Sequence, residues 1–128
     1  MNALAVLAAT DLDNTLDDLD GLTWIPGIDN ILTGLRETQT AITQGRLDTD
    51  ATQTLIATLA GSNGADLITT IAHLITHATN PTTNPALRHL PHHQQQSTRH
   101  HGELAAYALT DNDIHQPASE ASAAISQY

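Results

Sequence analysis

The chain has no cysteine, no lysine and no phenylalanine among its 128 residues. The first absence excludes disulfides, a thiol nucleophile and thiolate metal sites. The second leaves four arginines as the only fixed cations against fourteen Asp and Glu, a net charge of −10. Binding to nucleic acid is excluded on that balance, because affinity for a phosphate backbone comes from Lys and Arg displacing counterions. Aromatic residues are confined to Trp24, Tyr107 and Tyr128. A core must therefore be built from Leu, Ile and Ala, a set that suits packing between helices. Long apolar runs are also missing. No stretch nears the roughly 20 residues that cross a bilayer, and Ala3 to Ala9 has no basic residue before it, as a signal peptide would. The expectation is a soluble, cytoplasmic protein with neither a membrane nor a nucleic-acid partner.

What the sequence does hold is regular punctuation. Gly21, Pro26-Gly27, Gly45, Gly61 to Gly64, Asn80-Pro81 and Asn84-Pro85 mark the ends of helical segments. Between them, apolar residues recur at helical spacing. A first helix is expected over about residues 3–20, followed by a tight connection in which Trp24 and Ile25 plug the underside of a bundle. A second spans about 28–44, with Ile28, Ile31, Leu32, Leu35 and Ile42 on one side and Gly45 as its left-handed cap. A third follows Asp48 or Asp50 and buries Leu55, Ile56 and Leu59. A fourth, about 65–79, sets Leu67, Ile68, Ile71, Leu74 and Ile75 against a face of Asp66, Thr70, His73 and His77. The expected fold is all-α: a small antiparallel bundle of about four helices over residues 1–79, a His/Gln/Pro-rich connector over 80–102 and a C-terminal helical segment over 103–128. In that last part a helix is expected at 103–109, extendable back through Gln94, and another from about Pro117 to Ser126. Leu104, Tyr107, Leu109 and Ile114 are its expected anchors.

One short motif carries chemistry. Asp11-Leu12-Asp13-Asn14-Thr15-Leu16 resembles the first motif of haloacid-dehalogenase-type phosphatases. The resemblance implies a parallel-sheet enzyme in which Asp11 is the nucleophile, Asp13 the acid and base, and Mg²⁺ shields the charge, with Ala3 to Ala9 as the strand before it. Thr110-Asp111-Asn112-Asp113 would imitate the later acidic motif. The residues themselves read as a helix. Alanine favours helix over strand, and Leu4, Ala8, Leu12, Leu16 and Leu19 fall on one side of a helical wheel while Asp13, Asp17 and Asp20 fall on the other.

Charge is segregated. Between Asp66 and Glu103 there is no acidic residue, and that interval holds seven of the eight histidines. Falling pH should make it more positive, as histidine titrates near pH 6.5. His73 and His77 stand one helical turn apart, a spacing at which two imidazoles can reach one Zn²⁺. A further ligand would have to come from His92, His93, His100 or His101, so no metal or cofactor-binding residue is assigned. The serines lack a Gly-x-Ser-x-Gly context, and Gly61-Ser62-Asn63-Gly64 reads as a turn between helices. The function expected by elimination is non-enzymatic: a small acidic helical protein that works through a protein partner, with a homo-oligomer as the other arrangement. The alternatives are a phosphatase using Asp11 and Asp13 and a His-based metal-binding or pH-responsive module. No cofactor is expected.

Overall fold

The computed structural model describes residues 3–61 and 65–126, with side chains described from residue 11 onward. The chain is all-α, and no strand occurs among the described residues. Its internal contacts group into two compact units, residues 1–47 and 48–128. The four helices expected to share one bundle over residues 1–79 are thus divided between the two units.

The first unit is a helical pair. Helix α1 (Ala3–Leu19) runs into a 3₁₀ turn (Asp20–Leu22), and α2 covers Ile28–Thr43. Gly45, at φ +69°, ends α2 as expected. Its N–H donates to the Ile42 carbonyl at 3.0 Å and that of Arg46 to Ala41 at 2.9 Å, so two terminal carbonyls are satisfied by a residue that adopts the left-handed conformation without a Cβ penalty. Leu16 and Leu32 are buried, Leu32 to 1% exposure. Around them lie polar ties. The Arg36 guanidinium grips both oxygens of Asp20 at 3.0 Å and reaches Asp17 at 3.5 Å, and Gln39 donates to Asp13 at 2.6 Å. Trp24 does not plug the underside: it is 76% exposed. The connection turns tightly through Ile25 N–H to Leu22 and Ile28 N–H to Ile25, and a two-helix pair encloses no interior wide enough for an indole.

The second unit holds α3 (Thr49–Ile56), a π-helical continuation (Ala57–Gly61), α4 (Leu67–Thr79), α5 (His92–Leu109) and α6 (Asn112–Ile125). Each start has a side-chain cap where an aspartate precedes it. Asp48 accepts from Ala51 N–H, Asp66 from Thr69 N–H and Asp111 from Asp113 N–H. The His/Gln-rich run expected as connector is helical from His92 onward, so only residues 80–91 connect. Those residues are tied down. The Thr83 hydroxyl donates to the His77 carbonyl at 2.7 Å and the Asn84 amide to Ala78 at 2.8 Å, which satisfies carbonyls that the end of α4 leaves open. Arg88 donates to Pro81 and Thr82. Helix α6 begins at Asn112, five residues before the expected start, and runs through Pro117. The Asp111 cap sets that start, while Pro117 can give no N–H to Asp113.

Helix α4 is rotated about its axis from the expected orientation: Thr70, His73 and His77 face water as expected, and Ile68 and Ile75 are half-buried. Asp66, Thr69 and Ala72 are buried, and Leu67, Ile71 and Leu74 are exposed. The reason is size. Helix α5 meets α4 through Gly102 and Ala106, both buried, and a Cβ at Gly102 would collide with the Thr79 side chain. Backbones approach that closely only where side chains are small, and a larger aliphatic residue at the crossing would force them apart. Leu104 and Tyr107, expected as anchors of the C-terminal part, are exposed for the same reason.

Candidate functional site

The phosphatase-like motif lies in α1. The Thr15 hydroxyl donates to the Asp11 carbonyl at 2.8 Å, an ordinary i−4 bond of a helix. The Asp13 carboxylate is occupied by Gln39 of α2. Both aspartates are exposed. The strand that would present them in the resembling enzymes is a helix here, and Asp111, which the resemblance would put in the later acidic motif, caps α6.

His73 and His77 are exposed on α4, and the arm histidines His92, His93, His100 and His101 are exposed on α5. His101 is used locally, with Nδ1 2.8 Å from the Ser97 carbonyl. No three His, Asp or Glu side chains come together as a metal-holding group among the described residues. Residues 62–64 of the glycine-bounded turn lie outside the described residues.

The chemistry that the structure does assemble involves a histidine outside the His-rich run. His115, on α6, is 3% exposed. Its Nδ1 stands 2.7 Å from the Ala60 carbonyl and 2.9 Å from Asp66 Oδ2. Both neighbours are acceptors, so Nδ1 carries the proton. That N–H is taken by Ala60, and Oδ2 keeps only the charge contact. Ala60 lies in the π-helical segment, a winding that is common at functional sites. Asp66 is held from its other side by the Thr69 amide at 2.8 Å. Burial pushes its carboxyl up, while the Thr69 hydroxyl and amide and the His115 ring pull it down, and the net direction is below the ordinary value. Asp66 Oδ2, Thr69 Oγ1 and His115 Nε2 are buried without a well-aligned protein partner. Unsatisfied buried polar atoms are rare, and three in one place mark it out.

A cavity of about 250 Å³ adjoins this pair, lined by Gly61, Asn112, His115, Gln116, Ser119 and Glu120. The sequence gives little sign of it. Asp66 reads as a helix cap and His115 as an isolated polar residue, and only tertiary packing brings positions so far apart in the chain together.

The other functional feature is apolar. On α2, Ile31, Leu35 and Ile42 are exposed; Leu12 on α1 and Trp24 in the connection are exposed as well. Ile31 and Leu35 are four residues apart and therefore neighbours on one helix face. The acids of residues 1–47 are Asp11, Asp13, Asp17, Asp18, Asp20, Asp29 and Glu37, against Arg36 and Arg46. No helix among the described residues is long and apolar enough to cross a membrane. No protein-family model matches the chain, and comparison with the curated proteins and with the solved structures finds no match.

Proposed function

We propose that the protein is a non-enzymatic helical interaction protein whose α1–α2 unit holds a basic amphipathic helix of a protein partner. The observation that carries this reading is the exposed aliphatic set Ile31, Leu35 and Ile42, with Leu12 and Trp24, on a unit whose fixed charges are mostly acidic. Apolar side chains at i and i+4 are what a helix-in-groove contact uses, and an exposed Trp is the residue type most often found as an interface anchor. In this reading α1 and α2 run antiparallel. The ties support that sense, since Asp20 meets Arg36 while Asp13, earlier in α1, meets Gln39, later in α2.

Charge selects the partner. Seven acidic residues against two arginines leave residues 1–47 at −5. Two copies of this surface would repel, whereas Lys or Arg flanking an apolar stripe would complement it and speed association. The test uses a synthetic helical peptide with Leu at i, i+3, i+4 and i+7 flanked by Lys, and a second peptide with the same leucines flanked by Glu. The expected result is saturable binding of the Lys peptide alone, with a blue shift of Trp24 emission, and its loss in the Ile31→Asp, Leu35→Asp double variant. Binding of both peptides alike, or of neither, rejects the reading. A concentration-dependent dimer in sedimentation equilibrium would replace it with self-association.

A further inference from the structure

We infer that the outer side of helix α4 is an acid-switched docking surface for an acidic amphipathic helix. Leu67, Ile71, Leu74 and Ala78 are all exposed, and they follow one another by four, three and four residues. That is the a/d spacing of a heptad seam, on which a second helix packs knobs into holes. With Leu67 and Leu74 at d and Ile71 and Ala78 at a, the e positions are Ile68 and Ile75, and the g positions are Thr70 and His77. The e flank is half-buried and the g flank is exposed, with His73 exposed one turn before His77. The inward side of α4 is Thr69 and Ala72, so the seam is an apolar side in excess of what the unit's own packing uses.

Charge names the partner. No residue from Leu67 to Leu87 carries a fixed charge, and Asp66, at the start of α4, is buried beside His115 of α6. Helix α5, packed against α4, adds His92, His93, His100, His101 and Tyr107, and its Glu103 is paired with Arg99 at 3.3 Å. The π-helical segment adds no titratable group. The connector adds His89 and Arg88, whose guanidinium donates to the Pro81 and Thr82 carbonyls. The side chains of these elements that change charge between pH 8 and pH 6 are thus histidines, which become cations as pH falls through about 6.5. At pH 8 an acidic helix meets neutral imidazoles on a chain of net charge −10 and is repelled. At pH 6 His73 and His77 make the open flank of the seam cationic, and Glu or Asp at the partner's own e and g positions pairs with it. A basic helix, or a second α4 with its own histidines, is repelled by the same change.

The probe is a rhodamine-labelled peptide of three heptads with Leu at a and d and Glu at e and g, titrated with the full chain at low salt and followed by fluorescence anisotropy. Saturable binding is expected at pH 6 and none at pH 8. The Ile71→Asp, Leu74→Asp double variant should lose the binding at pH 6. Both positions are exposed, so its helical circular dichroism is retained. The His73→Gln, His77→Gln variant keeps the seam and removes its titratable flank, and should bind about threefold more weakly at pH 6, in line with losing two exposed ion pairs. The unlabelled peptide should leave Trp24 emission where it is, which separates this contact from one at the α1–α2 surface. Absence of saturable binding at pH 6, equal binding at pH 8, unchanged affinity in either variant, or a shift of Trp24 emission overturns the assignment. So does a sedimentation coefficient of the chain alone that rises with concentration at pH 6, which makes a second copy the occupant.

Discussion

The two units solve the same problem by opposite means. Residues 1–47 hold two helices together with large aliphatic residues, Leu16 and Leu32, and leave their polar ties at the surface. Residues 48–128 put small residues at the helix crossing, Thr79 against Gly102, with Ala72 and Ala106 buried on the same two helices, and bury a polar pair, Asp66 with His115. In the first unit stability grows with apolar area. In the second it depends on close approach and on a carboxylate that has no access to water. Both arrangements leave large aliphatic residues outside, Ile31 and Ile42 in one, Ile71 and Leu74 in the other. In the first unit that exposed aliphatic set is the surface proposed to receive a partner helix.

The sharpest way to test the contrast is the buried pair. Asp66→Ala removes a helix cap and leaves the His115 N–H facing one acceptor fewer, and losing the cap and a buried polar partner together costs about 2–4 kcal/mol. Urea unfolding followed by peptide-resolved hydrogen exchange should show that loss in residues 48–128 and none in residues 1–47. The acid limb gives a second reading. The folded Asp66 carboxyl titrates below its ordinary value of 3.8. Its contribution is therefore complete above that value and disappears as pH falls through the lower, folded one. Protection in the second unit should collapse with acid below about pH 4, and the collapse should be blunted in Asp66→Asn. If both units lose protection together in wild type and variant alike, the pair is not what distinguishes them.

Opposite changes of size should then separate the units. Leu32→Ala deletes the most buried of the described side chains of the first unit and should lower its stability by about 2–4 kcal/mol, the range for a core leucine. Gly102→Ala adds a single methyl group where Thr79 leaves no room, and should cost the second unit about 1–3 kcal/mol through overpacking. The comparison fails if Gly102→Ala is neutral while an Ala72→Gly change in the facing helix is severe, because the crossing would then depend on area and not on closeness.

The sequence made some of this legible and hid the rest for physical reasons. Helical periodicity located α1, α2 and α4 to within a few residues, and Gly45 and Asp48 were recognisable as caps because a cap depends on neighbours in the chain. Periodicity counts apolar residues but does not weigh their size. It therefore assigned Leu67, Ile71 and Leu74 to the inside of α4, where the smaller Thr69 and Ala72 lie. The run from His92 to His101 looked like a linker by composition, yet α5 forms because its first turns are tied to the connector, as where the Gln95 amide donates to the Leu90 carbonyl at 2.8 Å. The candidate site was the least legible part. Asp11 and Asp13 attracted attention because they are adjacent in a motif, whereas Asp66 and His115 become chemically meaningful only through a contact that no local pattern encodes.

The smallest effect should come from the most conspicuous interaction of the first unit. Arg36 grips Asp20 with both branches of its guanidinium, and the hydrogen bonds to Asp20 hold its proton more firmly than usual, with burial opposing and the charges of Asp20 and Asp17 assisting. All three side chains are in contact with water, with Asp17 three-quarters exposed. In that setting the Coulomb gain is largely cancelled by solvation and by the entropy of holding long side chains still. Arg36→Gln should therefore leave the melting temperature within experimental scatter, while increasing the negative charge of the surface proposed to receive a basic helix. The discriminating readout is the pair of measurements together: an unchanged melting curve with faster association of the Lys-flanked peptide at low salt, an advantage that fades as salt screens it. A clear drop in melting temperature would mean that the first unit relies on its polar ties more than on Leu16 and Leu32, and would reverse the contrast between the two units.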